Sequence, residues 1–182
     1  MKTEERLGQT LKELMSKEPL DKITVKRLSS LCGINRQTFY YHFRDIYDLL
    51  TWIFLNESIR NAENITNSTE AIAALFSYIE ENRAFVENVL SSAGRELLIE
   101  FFYHSIYSVQ MRALKLKDKD NILSSEDKKF IARFYSPAII YVFVFWIDNG
   151  MKESKEELTQ RLSIVCSEYL SEAVARFAAK KR

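Results

Sequence analysis

The stretch KITVKRLSSLCGINRQTFYYHFR, residues 22–44, is the most informative part of the sequence. It carries a charge of +5 with no Asp or Glu, in a chain of 182 residues whose net charge is only +1. The basic residues are Lys22, Lys26, Arg27, Arg36 and Arg44. Thr24 and Asn35 are good N-caps for two short helices, and Gly33 separates them. Since a basic pair of short helices fits a DNA major groove, the stretch predicts a DNA-binding protein.

The second helix of this pair separates apolar from polar side chains. Phe39 and Phe43, four residues apart, supply a face that anchors the helix to the body of the protein. The face left to point outward contains Arg36, Gln37, Tyr40, Tyr41 and His42. Arg36 can form a bidentate pair with guanine, and Gln37 can do the same with adenine. Alternatively the tyrosines are ordinary core and the charges a solvated surface, but their joint occurrence with both caps and the glycine favours DNA binding.

The rest of the chain predicts further helices. Glycine (4) and proline (2) are scarce, which favours long helices over an all-β fold. Helices are expected from about residue 7 to before Pro19, and at 24–31, 36–42, 45–63, 69–81, 84–90, 95–117, 126–149 and 154–179. The run IIYVFVFWI, residues 139–147, has strand-like composition but is expected to be helical, because no second strand exists to pair with it. The apolar run 137–147 is too short to span a bilayer.

The segment TVKRLSSLCGINRQTFYYHFRDIYDLL, residues 24–50, resembles the helix-turn-helix of the TetR family of bacterial transcription factors. The matching features are Thr24, Leu28, the Cys32-Gly33-Ile34 turn in place of the usual Ala-Gly-Val, Thr38-Phe39-Tyr40, Phe43 and Leu49. The resemblance covers about the first fifty residues, and the remainder is similar only in length and helix count. It implies an all-α fold of about nine helices, with a three-helix DNA-binding domain over residues 1–46 and a helical regulatory and dimerisation domain over residues 47–182.

The resemblance also implies roles for individual residues. Those at positions that usually read bases are Lys26, Arg36, Gln37 and Tyr41. Those at positions that usually hold phosphates are Thr24, Thr38, Tyr40 and His42. The family commonly has a phosphate-binding Lys where this chain has Ile46, and Arg44 is the candidate to replace it.

Two-fold pairing is expected because a dimer presents two recognition helices ~34–36 Å apart, about one turn of DNA. The last two predicted helices are the natural interface, since they carry more apolar residues than one helix stripe of a small monomer hides. The interface candidates are Tyr141, Phe145, Trp146, Leu158, Leu162 and Tyr169. The alternative is that these side chains fill the core of the monomer.

A ligand cavity is predicted on and near the long helix 95–117, where aromatic side chains accompany a few polar groups. The candidate lining residues are Trp52, Phe101, Phe102, His104 and Tyr107. The alternative for His104 is a core histidine satisfied by a neighbour. The DLLTWIF segment, residues 48–54, is similar to a branch of the family in which activators are switched by a partner protein.

The sequence therefore predicts a cytoplasmic homodimeric regulator, most often a repressor in this family, that binds a palindromic double-stranded DNA operator and is released or switched by an effector. The alternative is a partner-switched coactivator or helical interaction module without a small-molecule ligand. No nucleophile elbow, phosphate loop or HExxH helix is present, so no enzyme is expected. We also expect no cofactor, no metal and no membrane association.

Overall fold

The computed structural model describes residues 2–57, 64–166 and 168–180. Within these ranges the protein has ten α-helices and no strand, which confirms the predicted all-α fold. The helices are α1 (Thr3–Met15), α2 (Val25–Leu31), α3 (Arg36–His42), α4 (Ile46–Asn56), α5 (Ser68–Glu81), α6 (Arg83–Leu90), α7 (Arg95–Lys117), α8 (Ser125–Asp148), α9 (Lys155–Cys166) and α10 (Tyr169–Lys180). A single 3₁₀ turn, Leu20–Lys22, lies between α1 and α2.

Two helix boundaries differ from the sequence expectation. The fourth helix was expected to continue to about residue 63, but it ends at Asn56, because Glu57 has extended backbone angles (φ −85°, ψ 143°). Residues 58–63 lie outside the described part of the chain. The last predicted helix, 154–179, is described as two helices, α9 and α10, on either side of residue 167.

The chain divides into two compact units. The first comprises Met1–Glu57 and Ile79–Phe101, and α1 packs in it against α2, α4 and α6. Leu7, Leu11 and Met15 are fully buried on α1, as their helical spacing predicts. The contacts therefore place α4 in the same compact unit as α1. The boundary at residue 46 between a DNA-binding and a regulatory domain stays a prediction.

The turn between α2 and α3 closes α2 with a Schellman motif. Gly33 N–H donates to Ser30 O at 3.1 Å, and Ile34 N–H donates to Ser29 O at 3.0 Å. Gly33 has φ +62°, a left-handed conformation that costs a glycine little. The turn directs the chain into α3, so the sequence signal of a glycine between two capped helices fixes this local geometry.

The second unit comprises Ser58–Tyr78 and Phe102–Arg182. One part of its core lies between α7, α8 and α10, where Leu114, Ile131, Ala132 and Leu170 are buried together. In another part, the rings of Phe76 on α5 and Phe143 on α8 lie 4.6 Å apart. These contacts form two parts of the core of this unit.

The α8 helix contains the strand-like run 139–147, which is helical as predicted. The helix has 24 residues and a mean hydropathy of 1.7 over its most apolar window, so by length and composition alone it is able to cross a membrane. The uninterrupted apolar run 137–147 is too short to span a bilayer, but the whole helix, which the sequence predicted over residues 126–149, is long enough. Half of that window is buried inside the protein, as in the core helix of a globular fold.

Candidate nucleic-acid interface

Side-chain caps begin both helices of the basic segment. Thr24 Oγ1 accepts a hydrogen bond from Arg27 N–H at 3.2 Å, at the start of α2. Asn35 Oδ1 accepts from Thr38 N–H at 2.8 Å and from the Thr38 hydroxyl at 3.0 Å, at the start of α3. Each cap satisfies one of the backbone donors that a helix N-terminus otherwise leaves free.

Two phenylalanines hold α3 against the first unit. Phe39 is fully buried and Phe43 is buried, with their ring centroids 5.9 Å apart. Phe43 in turn contacts Trp52 of α4, with 6.1 Å between ring centroids. Burying Phe39 of α3 and Phe43, the residue that follows the helix, supplies about 3–6 kcal/mol of hydrophobic stabilisation. This contact fixes which face of α3 is left for a partner.

The opposite face of α3 is exposed. Arg36 and Gln37 are exposed at its first turn, and Tyr41 is 86% exposed. Tyr40 is exposed as well. On the neighbouring segments, Thr24, Lys26 and Arg44 are also exposed. The structure thus brings a set of cationic and hydrogen-bonding side chains to the solvent at α2 and α3, and their individual DNA contacts stay predictions.

His42 departs from the expectation that it faces outward. Its side chain is only 20% exposed, and its Nδ1 lies 3.1 Å from Glu4 Oε1 on α1. Sequence reasoning missed this ion pair because the two residues are far apart in the chain and no local pattern connects them. A similar pair joins Arg27 to Glu18, with 2.6 Å between Nη1 and Oε1. The carboxylates of Glu4 and Glu18 therefore orient the side chains of His42 and Arg27 near the proposed DNA surface.

At the start of α4, Ile46 occupies the position at which the family commonly has a phosphate-binding lysine. Ile46 is half-buried and offers no donor, whereas the Arg44 side chain is 88% exposed. Arg44 N–H donates to Asp48 Oδ2 at 3.0 Å, and its Nη2 lies 3.4 Å from Asp48 Oδ1. The backbone hydrogen bond from Arg44 is the main cause that lowers the pKa of Asp48. Asp48 N–H donates to Asp45 Oδ1 at 2.8 Å, so the Asp45 carboxylate caps α4.

The predicted ligand-pocket residues do not share one environment. Trp52 is half-buried on α4, and its Cζ3 lies 3.0 Å from the position a Cβ on Gly8 would occupy. Phe101 stacks on Phe54 at 5.3 Å between ring centroids within the first unit. Phe102, His104 and Tyr107 belong to the second unit, where Phe102 is fully buried and His104 is exposed. The positions of Phe101, Phe102, His104 and Tyr107 along the sequence did not show which side of α7 each side chain occupies.

The residues predicted to form the dimer interface differ in how far they are exposed. Tyr141 and Phe145 are exposed on α8. Trp146, Leu158 and Leu162 are buried within the single chain, which leaves them little surface for a partner, and their place in a dimer interface stays a prediction. Tyr169 is half-buried, and its hydroxyl shares a hydrogen bond with Ser68 Oγ at 3.1 Å. Trp146 Nε1–H donates to Glu153 O at 2.9 Å and its ring packs on Phe76, which explains its inward position.

A cavity that sequence reasoning missed lies at the end of α8. Its volume is about 320 Å³, and its lining includes Tyr141, Phe145, Trp146, Lys152 and Leu158. Aromatic walls with two charged residues, Lys152 and Glu153, in the lining suit a small, mostly apolar ligand. Among residues 2–57, 64–166 and 168–180, no group of three or more His, Cys, Asp and Glu is placed to hold a metal ion.

The capped helices α2 and α3, joined by the Gly33 turn, define a DNA-binding transcriptional regulator of the helix-turn-helix class. Residues 9–51 match the family described as "Bacterial regulatory proteins, tetR family", and residues 66–168 match "Transcriptional regulator C-terminal region". The second match spans more than half of the chain. The chain therefore belongs to the TetR family of transcriptional regulators, and the resemblance noted in residues 24–50 is confirmed.

Individual relatives agree with this assignment. The chain is 26% identical over 147 residues to the HTH-type dhaKLM operon transcriptional activator DhaS of Lactococcus lactis, an alignment that covers 75% of each chain. A solved structure titled dihydroxyacetone kinase operon activator DhaS superposes with a TM-score of 0.66 at 23% identity, covering 93% of this chain and 97% of the other. A TetR-family transcriptional regulator from Streptomyces coelicolor gives a TM-score of 0.61 at 17% identity, covering 97% and 88%.

Proposed function

We propose that this TetR-family regulator binds a palindromic double-stranded DNA operator as a homodimer. The observation that carries the proposal is the two-sided α3, with Phe39 and Phe43 buried while Arg36, Gln37 and Tyr41 are exposed. The N-terminal residues of α3 enter the major groove, where Arg36 and Gln37 read base edges and Tyr41 assists them. Lys26 adds a base contact from α2, and the phosphates are held by Thr24, Thr38, Tyr40, His42 and Arg44.

The homodimer is supported by an aromatic stripe along α8, formed by Phe130, Phe134, Tyr141 and Phe145. All four side chains are between 57% and 68% exposed. At 3.6 residues per turn, their separations of four, seven and four residues place them on one side of the helix. An apolar stripe of this kind marks a protein interface, and a two-fold dimer buries the same stripe of both copies.

The direction of regulation has two candidates. Repression is the common mode that the family resemblance implied from the sequence. Activation is favoured by the relative from Lactococcus lactis, which is named a transcriptional activator and aligns over 75% of this chain. A reporter placed behind the protein's own upstream region separates them, since deletion of the regulator raises expression in the first case and lowers it in the second.

The effector acts on the second unit, and two kinds are considered. A small, mostly apolar molecule fits the cavity of about 320 Å³ beside Trp146, which is near the lower end of ligand-pocket volumes. A partner protein is the alternative, by analogy with the activator branch of the family. A thermal-shift screen with metabolites finds the first, and a pull-down with a two-component reconstitution finds the second. We assign no enzymatic activity, cofactor or membrane association, and we place the regulator in the cytoplasm with its DNA.

The DNA-binding proposal is tested by titrating a fluorescent duplex that carries the protein's own upstream region. Specific binding predicts an affinity at least about 10³-fold tighter than for a scrambled duplex of the same length and composition. Equal affinities for the two duplexes, measured at the same salt concentration, contradict the proposal. Salt must be fixed because phosphate contacts make every affinity fall steeply with ionic strength.

A further inference from the structure

Arg27 is a cationic side chain of the basic segment that has no role among the DNA contacts proposed above. It lies on the first turn of α2, where its backbone N–H donates to the Thr24 side chain that caps the helix. Its own side chain is 49% exposed, so the guanidinium is accessible from solvent. Because the first helix of a helix-turn-helix crosses the DNA backbone, Arg27 lies where a phosphate contact is expected.

In this structure the guanidinium is held by a carboxylate of the same chain. Nη1 of Arg27 lies 2.6 Å from Oε1 of Glu18, and the Glu18 side chain is only 21% exposed. An ion pair in which the cation keeps half of its exposure contributes little to stability, because water screens it. The guanidinium can therefore leave Glu18 for another anion without unfolding the motif.

The segment that carries Glu18 is held by backbone contacts. Glu18 N–H donates to Leu14 O at 3.0 Å, which extends the end of α1. The next residue is Pro19, whose ring restricts the backbone of the residue before it. Leu20, in the 3₁₀ turn that follows, is buried. The carboxylate is therefore presented to Arg27 by an ordered segment.

A DNA phosphate and the Glu18 carboxylate are alternative partners for the same guanidinium, since both are anions that accept from its N–H groups. Residues 22–44 contain no Asp or Glu, so Glu18 brings its negative charge to the basic segment from outside it. Phosphate contacts carry no sequence information. A competitor for one such contact therefore lowers the affinity for every duplex alike.

We propose that Arg27 is a further phosphate contact and that Glu18 is its intramolecular competitor, which sets the general affinity of the regulator for double-stranded DNA. When DNA binds, the guanidinium leaves the Glu18 carboxylate and pairs with a phosphate. This inference rests on the DNA-binding function proposed above and adds to it two residues that oppose each other.

The test measures how tightly full-length variants bind the fluorescein-labelled upstream duplex and its scrambled control, by anisotropy at several salt concentrations. Glu18→Gln removes the competing charge and should bind both duplexes about two- to fivefold more tightly, the range that exchange of a surface ion pair allows. Arg27→Gln should bind both duplexes more weakly and lower the salt slope by about 0.9, the value of one phosphate contact. Arg27→Lys keeps the charge and should restore the slope.

A double variant separates competition from long-range repulsion between Glu18 and DNA. If Glu18 acts through Arg27, most of the gain from Glu18→Gln disappears in a chain that also carries Arg27→Gln. The matched control is Glu13→Gln, which removes one negative charge from the exposed surface of α1, where the carboxylate accepts from Gln9 and holds no cation. It should change the affinity by less than about 1.5-fold.

Three results overturn the proposal. The first is the same gain from Glu18→Gln with and without Arg27, and the second is an unchanged salt slope in Arg27→Gln. The third is weaker DNA binding by Glu18→Gln, the result expected if the ion pair only holds α2 in place. Circular dichroism melting establishes that each variant is folded. If the unaltered protein binds neither duplex, the DNA-binding function itself fails, whereas any of the three results in a protein that binds DNA confines the failure to Arg27 and Glu18.

Discussion

His42 at the end of α3 and Glu4 of the first helix lie close together, with 3.1 Å between Nδ1 and Oε1. The contact ties the end of α3 to the first turn of α1. Each side chain retains some exposure, 20% for His42 and 33% for Glu4, so the pair contributes at most about 1 kcal/mol to stability. The contact also holds in place an imidazole that we propose to contact a DNA phosphate.

Replacing His42 separates a phosphate contact from this structural role. His42→Ala should weaken binding to operator and scrambled duplexes alike and lower the salt slope by up to about one unit, because a backbone contact carries no sequence information. Glu4→Gln breaks the same ion pair from the other side and serves as the control. If the two variants weaken DNA binding equally, His42 acts only through the position of α3. The measurement is a salt titration of duplex affinity by anisotropy.

Arg36→Ala should reduce sequence discrimination rather than general affinity. The exposed guanidinium at the first turn of α3 is placed to pair with a guanine edge, and loss of one bidentate base contact costs about 1–3 kcal/mol at a single base pair. We expect tolerance of substitutions at one operator position in a competition assay with point-mutated duplexes.

Thr38→Ala is the matched comparison for Arg36→Ala. Thr38 is half-buried and its hydroxyl donates to Asn35 Oδ1, so its loss affects the helix cap and a phosphate contact but no base edge. The variant should weaken all duplexes by a similar factor. A selective loss at one base pair in Thr38→Ala, or a uniform loss in Arg36→Ala, would contradict the assigned roles.

Local patterns predicted the helix-turn-helix because its determinants are close together in sequence. Thr24, Asn35 and Gly33 act within three or four residues, and Phe39 with Phe43 defines the buried face directly. The ion pair of His42 with Glu4 connects distant segments, so no local rule could show it. These long-range contacts depend on tertiary packing that the sequence pattern does not specify.

The candidate pocket and interface were harder to predict for a related physical reason. Periodicity indicates which side chains of a helix are apolar but not which neighbour buries them. Trp146 is buried in its own chain because Phe76 packs against it, whereas Phe145, the next residue back, is exposed. His104 was considered as a pocket or core residue and is exposed instead. The choice between core and interface is therefore made by contacts within the second unit.

Charge placed on the α8 stripe should separate the dimer without unfolding the protomer. Phe134 and Phe145 are exposed, so Phe134→Glu with Phe145→Glu places charge on the proposed interface, and Phe145→Glu also changes the lining of the cavity beside Trp146. Light scattering after size exclusion should show a monomer, and operator affinity should fall because a single helix-turn-helix reads few base pairs. Leu55→Glu, at another exposed apolar side chain, is the control and should leave the dimer intact. A dimer that persists in the double variant contradicts the assignment.

Asp118 after α7 provides a prediction for acid stability. Its buried carboxylate accepts from Ile122 N–H at 2.9 Å and Leu123 N–H at 3.2 Å and lies 2.8 Å from Lys128 Nζ. The hydrogen bond from Lys128 is the main cause that lowers the pKa of this group below its ordinary value. A lowered pKa stabilises the fold when the pH is above about 4, and this stabilisation is lost as the pH falls through the pKa of the folded state.

Asp118→Asn should lower the free energy of unfolding by about 1.5–3 kcal/mol at neutral pH and flatten its decline in acid. Urea titrations across the acid range measure both effects, with Glu126→Gln, at an exposed ion pair with Lys129, as the control expected to change little. A decline of unchanged steepness in Asp118→Asn would show that other carboxylates control acid unfolding.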